Sequence, residues 1–173
     1  MRRFAIFALA LAFAAPACDD DNPTSPSGGP IVFTAELRAS NEVPAISNAE
    51  SNAQGTATIT FSVPRDSSGN ITGGGTWNIQ AVLSNFTNDS VLNLAHIHNA
   101  PAGQNAGIFV NSGLSAANPI RLQNGAATVN VESANITQAQ AQAVVANPAG
   151  HYFNMHTSLN PGGAVRGQMV RVQ

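Results

Sequence analysis

The sequence predicts an all-β fold, an antiparallel Greek-key-like β-sandwich or barrel with at most one short helix. Apolar and polar residues alternate in three segments, as they do in strands that have one face on a core: "IVFTAELRA", "GTATITFSVP" and "GTWNIQAVLSNF". Turn signals such as "DSSGN" and "TGGG" separate these segments, which is typical of antiparallel sheets. We therefore expect residues 31–173 to form one β domain, long enough to bury a substantial core.

One segment departs from this alternation. "ITQAQAQAVVANPAG" is rich in Ala and Gln, which favour helices. Thr137 suits the N-cap position, and the Asn-Pro pair at 147–148 suits a helix end. The segment therefore predicts a short helix near residues 137–146.

The first residues have the pattern of a secretory signal peptide, predicted here for residues 1–17. Arg2 and Arg3 precede the apolar run "FAIFALALAFAAPA", which is too short for a comfortable membrane span. The run ends at Cys18, the only cysteine in the chain. Small residues followed by such a cysteine resemble a bacterial lipobox, in which the thiol is lipidated and becomes the mature N-terminus. Ordinary cleavage that leaves Cys18 free, and uncleaved insertion, are the alternatives.

The residues after the cysteine predict a disordered tether over residues 18–30. "DDDNPTSPSGGP" combines like charges with Pro, Ser and Gly and offers nothing apolar to bury. A lipidated Cys18 followed by a tether predicts an exported protein of the bacterial cell envelope, held to a membrane through its N-terminal lipid. Its periplasmic or surface location is left open.

The charge of the domain argues against two classes of partner. The chain contains no lysine, and five arginines stand against six acidic residues in residues 31–173. Such a surface lacks the cationic stripe that binds nucleic acid and the basic patch that binds anionic lipid. We therefore expect no nucleic-acid partner.

The four histidines divide into a group of three and a single residue. Alternation along "LNLAHIHN" places His96 and His98 on one face of a strand. In "GHYFNMHT" the same alternation places His156 on a face with Tyr152 and Asn154, and His151 on the opposite face. Two imidazoles one pleat apart can hold one metal ion.

Four motifs resemble the CHRD domain family, which takes its name from the vertebrate protein chordin. They are "FTAELRASNEVPAI", "GTATITF", "LAHIHNAPAGQNAG" and "GHYFNMHTSLNPGGAVRGQMV", and together they span residues 33–170 in the family's order. The resemblance implies an all-β domain, export from the cell, and little settled biochemistry. Chordin's binding of growth factors belongs to its own context and is not transferred to this chain.

Core packing does not require five polar residues of these motifs: Glu42, His96, His98, His156 and Arg166. One interpretation is a structural hydrogen-bond network in which Glu42 pairs with Arg166 or an imidazole. This interpretation and the metal-site interpretation both predict that Leu92 and Leu94 lead into the histidines, and that an apolar face that Arg166 shares with Val170 and Val172 turns polar, as at a barrel mouth. The other interpretation is a copper or zinc site at His96, His98 and His156, completed by a carboxylate or water.

The sequence leaves two functions open. The favoured one is a non-catalytic binding or structural module with an unknown protein or glycan ligand. The alternative is a single-site copper or zinc protein with redox chemistry, because the His-x-His strand and "PGGAVRGQMV" are similar to segments of copper/zinc superoxide dismutase. Catalytic residues are not identified: no serine lies in a Gly-x-Ser-x-Gly elbow, and the carboxylates Glu42, Glu50, Asp89 and Glu132 are scattered.

Overall fold

The computed structural model describes residues 28–173. The predicted signal peptide, Cys18 and most of the predicted tether lie outside the described residues. The elements are β1 Ile31–Arg38, β2 Gln54–Ser62, β3 Gly75–Ser84, β4 Val91–His98, β5 Ile108–Asn111, β6 Ile120–Arg121, β7 Ala127–Ile136, α1 Gln138–Ala146, β8 Tyr152–Thr157, β9 Val165–Gln168 and β10 Val170–Arg171. Within residues 28–173, no helix combines the length and apolar character that a membrane span needs.

The strands form one antiparallel sheet that curls into a nearly closed barrel. Their order is β5-β4-β8-β9-β1-β2-β3-β7, while β6 pairs with β4 and β10 pairs with β1. Strands β5 and β7 are therefore the two edges that approach each other without a hydrogen-bonded ladder. This architecture confirms the predicted all-β fold with one short helix.

The alternating segments of the sequence supply the core. In β1 the residues Ile31, Phe33, Ala35 and Leu37 are buried, while their neighbours are intermediate or exposed. The rings of Phe33 and Phe61 lie 5.0 Å apart, and Trp77 meets the edge of Phe153 at 6.4 Å. Because Phe153 lies in β8 and Trp77 in β3, this second contact joins opposite parts of the curled sheet and helps to close the barrel.

The predicted helix is confirmed as α1, and Thr137 is its N-cap. The Thr137 hydroxyl accepts a hydrogen bond from the Gln140 backbone N–H at 3.3 Å, and the Gln140 side chain accepts from the Thr137 N–H at 2.9 Å. This reciprocal pair is a capping box, which satisfies two backbone donors at the helix start. Pro148 follows the C-cap Asn147 and begins a short 3-10 turn.

The polar residues lie on the outer face of the sheet, so their predicted placement at a barrel mouth is wrong. Ala95 and Ile97 of β4 belong to the core, and the histidines that alternate with them therefore point away from it. A bulge between Leu92 and Leu94 shifts the register, so that Leu92 faces the core with Ala95 rather than leading into the histidines.

The predicted apolar face of the C-terminal strand is also wrong. Val170 and Val172 are 59% and 57% exposed, respectively. The core residues of this segment are Val165 and Met169, which have the opposite orientation. The face that carries Arg166 is therefore the outer face along the whole segment.

Two glycines of the C-terminal segment give a matched test of this packing. A Cβ at Gly167 would lie 2.1 Å from the carbonyl oxygen of Glu36 in β1, whereas a Cβ at Gly162 would meet nothing within 4 Å. We expect Gly167→Ala to lower the free energy of unfolding by about 2 kcal/mol or more, since β9 must move away from β1. Gly162→Ala should change it by less than about 0.5 kcal/mol. Urea unfolding measures both, and equal effects would contradict the packing of β9 on β1.

Candidate metal centre

His96, His98 and His156 meet on the outer face of β4 and β8. Each offers one ring nitrogen, and these three atoms lie within 4.8 Å of one another. The three side chains are only 1%, 5% and 6% exposed, respectively. Two nitrogens bound to one zinc ion at 2.0–2.1 Å are at most about 4.2 Å apart, so closure onto one ion takes shifts on the order of 1 Å.

The strand register explains how residues so far apart in sequence come together. His96 lies opposite Asn154, and His156 lies opposite Leu94, two pairs along the same ladder and therefore on the same face. His156 is therefore diagonal to His96, within the reach of cross-strand side chains. The resulting distance between His96 Nδ1 and His156 Nε2 is 3.2 Å.

Backbone carbonyls fix the ring orientation of two of the histidines. His98 Nδ1 donates to the carbonyls of Ala106 and Gly107, each at 3.0 Å, and His156 Nδ1 donates to the carbonyl of Pro161 at 2.9 Å. A carbonyl only accepts, so Nδ1 carries the proton in both neutral rings and Nε2 keeps its lone pair. Hydrogen bonds of this kind orient the histidine ligands of metal sites.

Two ring nitrogens of the cluster have no hydrogen-bond partner. His96 Nε2 and His98 Nε2 are buried, and neither has an acceptor or donor within hydrogen-bond distance. A buried polar atom without a partner costs about 1–3 kcal/mol. These two ring nitrogens are therefore able to bind an added ligand or ion.

The electrostatics of the cluster keep the three rings neutral. Burial, with smaller contributions from the neighbouring His156 and His98, lowers the pKa of His96 to about 4. Burial also lowers the pKa of His98 and of His156, although their carbonyl partners act in the opposite direction. At neutral pH each ring therefore keeps one unprotonated nitrogen, and the one on His156, Nε2, accepts a hydrogen bond from His96 Nδ1 that a bound cation would have to replace.

A stack of three side chains holds His98 from the side. The His98 ring lies parallel to the Tyr152 ring, at 4.7 Å and an interplanar angle of 8°. The guanidinium of Arg166 lies 4.6 Å above the same ring of Tyr152. Because both groups cover Tyr152, they must occupy its two opposite faces. The position of His98 is thus coupled to that of Arg166.

Arg166 also fixes the loops that cover the cluster. Its Nε donates to the carbonyl of Asn41 at 2.6 Å, and its Nη1 donates to the carbonyl of Gln104 at 3.1 Å and to Asn105 Oδ1 at 2.8 Å. Gln104 and Asn105 belong to the loop that also supplies the carbonyl partners of His98. Arg166 is therefore a positioning residue for this loop.

Glu42 lies beside Arg166 and outside the group of candidate ligands. Its Oε2 is 3.9 Å from Arg166 Nε, and both side chains are nearly buried. Burial raises the pKa of Glu42 to about 7, against the opposing effects of Arg166 and a hydrogen bond from Asn154. Gly163 has a φ of +136°, and a Cβ there would lie 2.7 Å from both Glu42 Oε2 and Asn154 Nδ2, so a glycine is required for this packing.

Glu50 is a second buried carboxylate. In the sequence it is one of several scattered acidic residues, and nothing predicts its burial. It accepts hydrogen bonds from Ser90, from Thr157 Oγ1 at 2.7 Å and from Asn160 Nδ2 at 2.6 Å. These partners lie 40 to 110 residues away in sequence, so no local pattern marks them. Glu50 links the loop before β2 to β8 and to the loop after it, and its oxygens are occupied by these donors.

His151 lies apart from the cluster. Its Nδ1 donates to the carbonyl of Asn147 at 2.9 Å, and its ring packs against Phe109 at 5.2 Å. The group of three candidate ligands does not include it. The structure therefore brings together His96, His98 and His156 and separates His151. Arg166 lies on the Tyr152 ring that stacks on His98, and Glu42 lies beside Arg166.

The larger concave surface of the domain lies elsewhere, between the two edge strands. A groove of about 830 Å³ runs along β5, β7 and the loop after β5. Its lining combines apolar side chains such as Val110 and Leu114 with amides such as Asn111 and Asn130, and contains no aromatic ring. A smaller cavity of about 340 Å³ is lined by Glu42 and Arg166.

The family model of the CHRD domain matches residues 33–169. The chain therefore belongs to the CHRD domain family, as its four motifs predict. No curated protein and no solved structure matches the chain. Family membership indicates a non-enzymatic binding module.

Replacing Glu42 tests the electrostatics around Arg166. The pKa of Glu42 is raised from 4.5 to about 7 in the folded state, so its protonated form stabilises the fold below pH 4.5, and this contribution is lost as the pH rises to 7. Gln resembles the protonated form and does not titrate. In metal-free protein we expect Glu42→Gln to gain about 2–3 kcal/mol relative to the parent protein between pH 4.5 and pH 8.

Urea unfolding at the two pH values measures this gain. Glu132→Gln, which removes a carboxylate from an exposed position, is the control and should show no comparable change. If the difference in stability between Glu42→Gln and the parent protein does not vary with pH, the pKa of Glu42 is not raised in the folded state.

Proposed function

We propose that this CHRD domain is a non-catalytic module that binds one transition-metal ion, copper or zinc, at His96, His98 and His156. The observation that carries the proposal is the set of three neutral, buried imidazoles whose donor atoms lie within 4.8 Å of one another. Neutral imidazole is a ligand for both copper and zinc. Carbonyl partners at Nδ1 leave Nε2 of His98 and His156 to bind the ion, which would replace the hydrogen bond that His156 Nε2 accepts from His96 Nδ1.

The unpartnered nitrogens favour this function over a purely structural network. A structural network gives each buried polar atom a hydrogen-bond partner. Glu50 has that character, because both of its oxygens accept hydrogen bonds. His96 Nε2 and His98 Nε2 are buried and without a partner, as is His151 Nε2, but only the first two belong to a group of three imidazoles that could share an ion. The two buried polar clusters of the domain thus differ in the property that a metal site requires.

Redox catalysis of the superoxide-dismutase kind has less support than binding. Within residues 28–173, the three histidines form the only group that could hold an ion, so that part of the chain offers no ligands for a second metal. The side chains are at most 6% exposed, which restricts the approach of a substrate to the ion. Storage, transfer or structural use of a metal fits such a site better than turnover.

The cell-envelope location is part of the same proposal. The charged start, the apolar run and Cys18 support export and lipid anchoring, with residues 18–30 as a tether to the domain. A protein or glycan ligand, if the module binds one, would find a concave surface of about 830 Å³ in the groove between β5 and β7. The lack of aromatic rings in that groove favours a protein over a glycan.

Metal analysis tests the proposed centre. We expect the purified protein to take up one equivalent of copper or zinc, and His98→Ala to lose it, because one of three ligands is removed. Bound metal should also stabilise the fold, by about 2.7 kcal/mol at a free metal concentration one hundred times Kd. Elemental analysis and thermal unfolding measure the two effects.

His151→Ala is the matched control, since His151 is equally buried and lies outside the cluster. It should retain the metal, and circular dichroism establishes that each variant is folded. Parent protein that stays metal-free after copper and zinc are added would refute the proposal and leave the histidines as architecture.

A separate experiment tests the lipid anchor. Cys18→Ser removes the thiol that a lipid would modify, so we expect the variant protein to leave the membrane fraction and appear in the soluble fraction. Fractionation followed by immunoblotting measures the distribution. Unchanged membrane association of Cys18→Ser would instead support uncleaved insertion of the apolar run.

A further inference from the structure

The candidate ligands carry no charge that could offset the charge of a bound ion. All three are imidazoles, and among the described residues no carboxylate or thiol belongs to the group. Many zinc sites contain thiolates or a carboxylate, which neutralise part of the charge of Zn²⁺. Here a divalent ion would keep its two positive charges and a monovalent ion its one.

The burial of the site makes that difference important. His96, His98 and His156 are at least 94% buried, since at most 6% of each is exposed. The cost of moving a charge from water into a protein interior is large, and in the simplest solvation picture it rises with the square of the charge. Monovalent copper is therefore penalised much less than Zn²⁺ or Cu²⁺ in a site of neutral ligands.

The charged groups around the site do not compensate a divalent ion. Arg166 is a permanent cation, 2% exposed, on the far side of the Tyr152 ring from His98. The Glu42 carboxylate lies beside this cation, with its Oε2 3.9 Å from Arg166 Nε. An ionised Glu42 would therefore do no more than balance Arg166, and the pair leaves no negative charge for the metal.

The number of donors points in the same direction. Three ring nitrogens are sufficient for Cu⁺, a closed-shell ion that is stable with two or three ligands, whereas Zn²⁺ takes four and would need a water or another group in addition to the three histidines. The Glu42 carboxylate lies outside the donor group. The cavity of about 340 Å³ beside Arg166 is not lined by any of the three histidines, so it does not supply an evident place for a fourth ligand.

We infer that the site selects monovalent copper over divalent zinc and copper. This inference rests on the proposed function, because it specifies the ion held by the same three histidines. The selection follows from a buried, carboxylate-free donor set of three nitrogens beside a fixed cation. It makes the module a carrier or store of Cu⁺, and no oxidation or reduction of the ion is required for that role.

Competition between the protein and a chelator measures the preference. The full chain with Cys18→Ser is used throughout, so that no thiol competes for Cu⁺. Cu⁺ is titrated under anaerobic conditions against bathocuproine disulfonate, and Zn²⁺ and Cu²⁺ are titrated against a pyridylazo-resorcinol indicator. We expect one equivalent of Cu⁺ to bind at least about tenfold more tightly than Zn²⁺ or Cu²⁺.

Two variants assign that affinity to the cluster. His98→Ala and His156→Gln should each weaken Cu⁺ binding by at least about tenfold, whereas His151→Ala should not change it. Two different ligand substitutions are used so that one that fails to fold, as judged by circular dichroism, does not end the test. Unchanged Cu⁺ binding in a folded ligand variant would overturn the inference.

The remaining outcomes separate this inference from the proposed function. Equal or tighter binding of Zn²⁺ or Cu²⁺, lost in His98→Ala, would overturn the selection of Cu⁺ and retain a metal-binding module. Failure of the protein to bind any of the three ions would overturn both.

Discussion

Strand β8 is buried on both of its faces, and the candidate site depends on this constraint. All six residues from Tyr152 to Thr157 are buried. Phe153 and Met155 pack in the barrel core, so Asn154 and His156 must be covered from outside the sheet. Polar side chains in such a position need partners that the neighbouring strands alone do not supply. The loops after β4 and β8 supply them, and their carbonyls orient His98 and His156.

Arg166 connects the segments that cover this outer face to one another. Its hydrogen bonds reach the short turn after β1 and the loop after β4, while its guanidinium lies on Tyr152. A lysine could not make these contacts, because it lacks the planar fork of donors that reaches separate acceptors at once. The positions of the covering loops and of His98 are therefore linked through one side chain, and a change at Arg166 would be felt at the histidines without direct contact.

Alternation along single strands was sufficient to predict the fold and, with the family motifs, the grouping of the histidines. Alternation shows which side chains share a face within each strand, and together with the CHRD motifs that contain them it was enough to group His96, His98 and His156 and to separate His151. The bulge between Leu92 and Leu94 could not be predicted, since one extra residue reverses the faces without altering the local composition. The sequence therefore did not show that the histidines lie outside the barrel.

Contacts between distant segments were equally inaccessible to the sequence. The partners of Glu50 come from Ser90, Thr157 and Asn160, and loop closure over such separations leaves no periodic signal. The same holds for the carbonyls that orient the imidazoles, because any backbone group can serve. The sequence identified which side chains could act as ligands, and only the structure showed which groups contact them.

The contrast between the two buried polar clusters is the strongest physical reason to treat the histidines as ligands. Glu50 carries a carboxylate into the interior, and three donors from separate segments satisfy it. The histidine cluster buries three rings and leaves Nε2 of His96 and His98 unpartnered, at a cost of about 1–3 kcal/mol for each atom. Apolar side chains of similar shape would fill that space without this cost. His151 Nε2 is buried and unpartnered as well, so what sets His96 and His98 apart is that their unpartnered nitrogens belong to one group of three imidazoles, a set of ligands that suits copper or zinc.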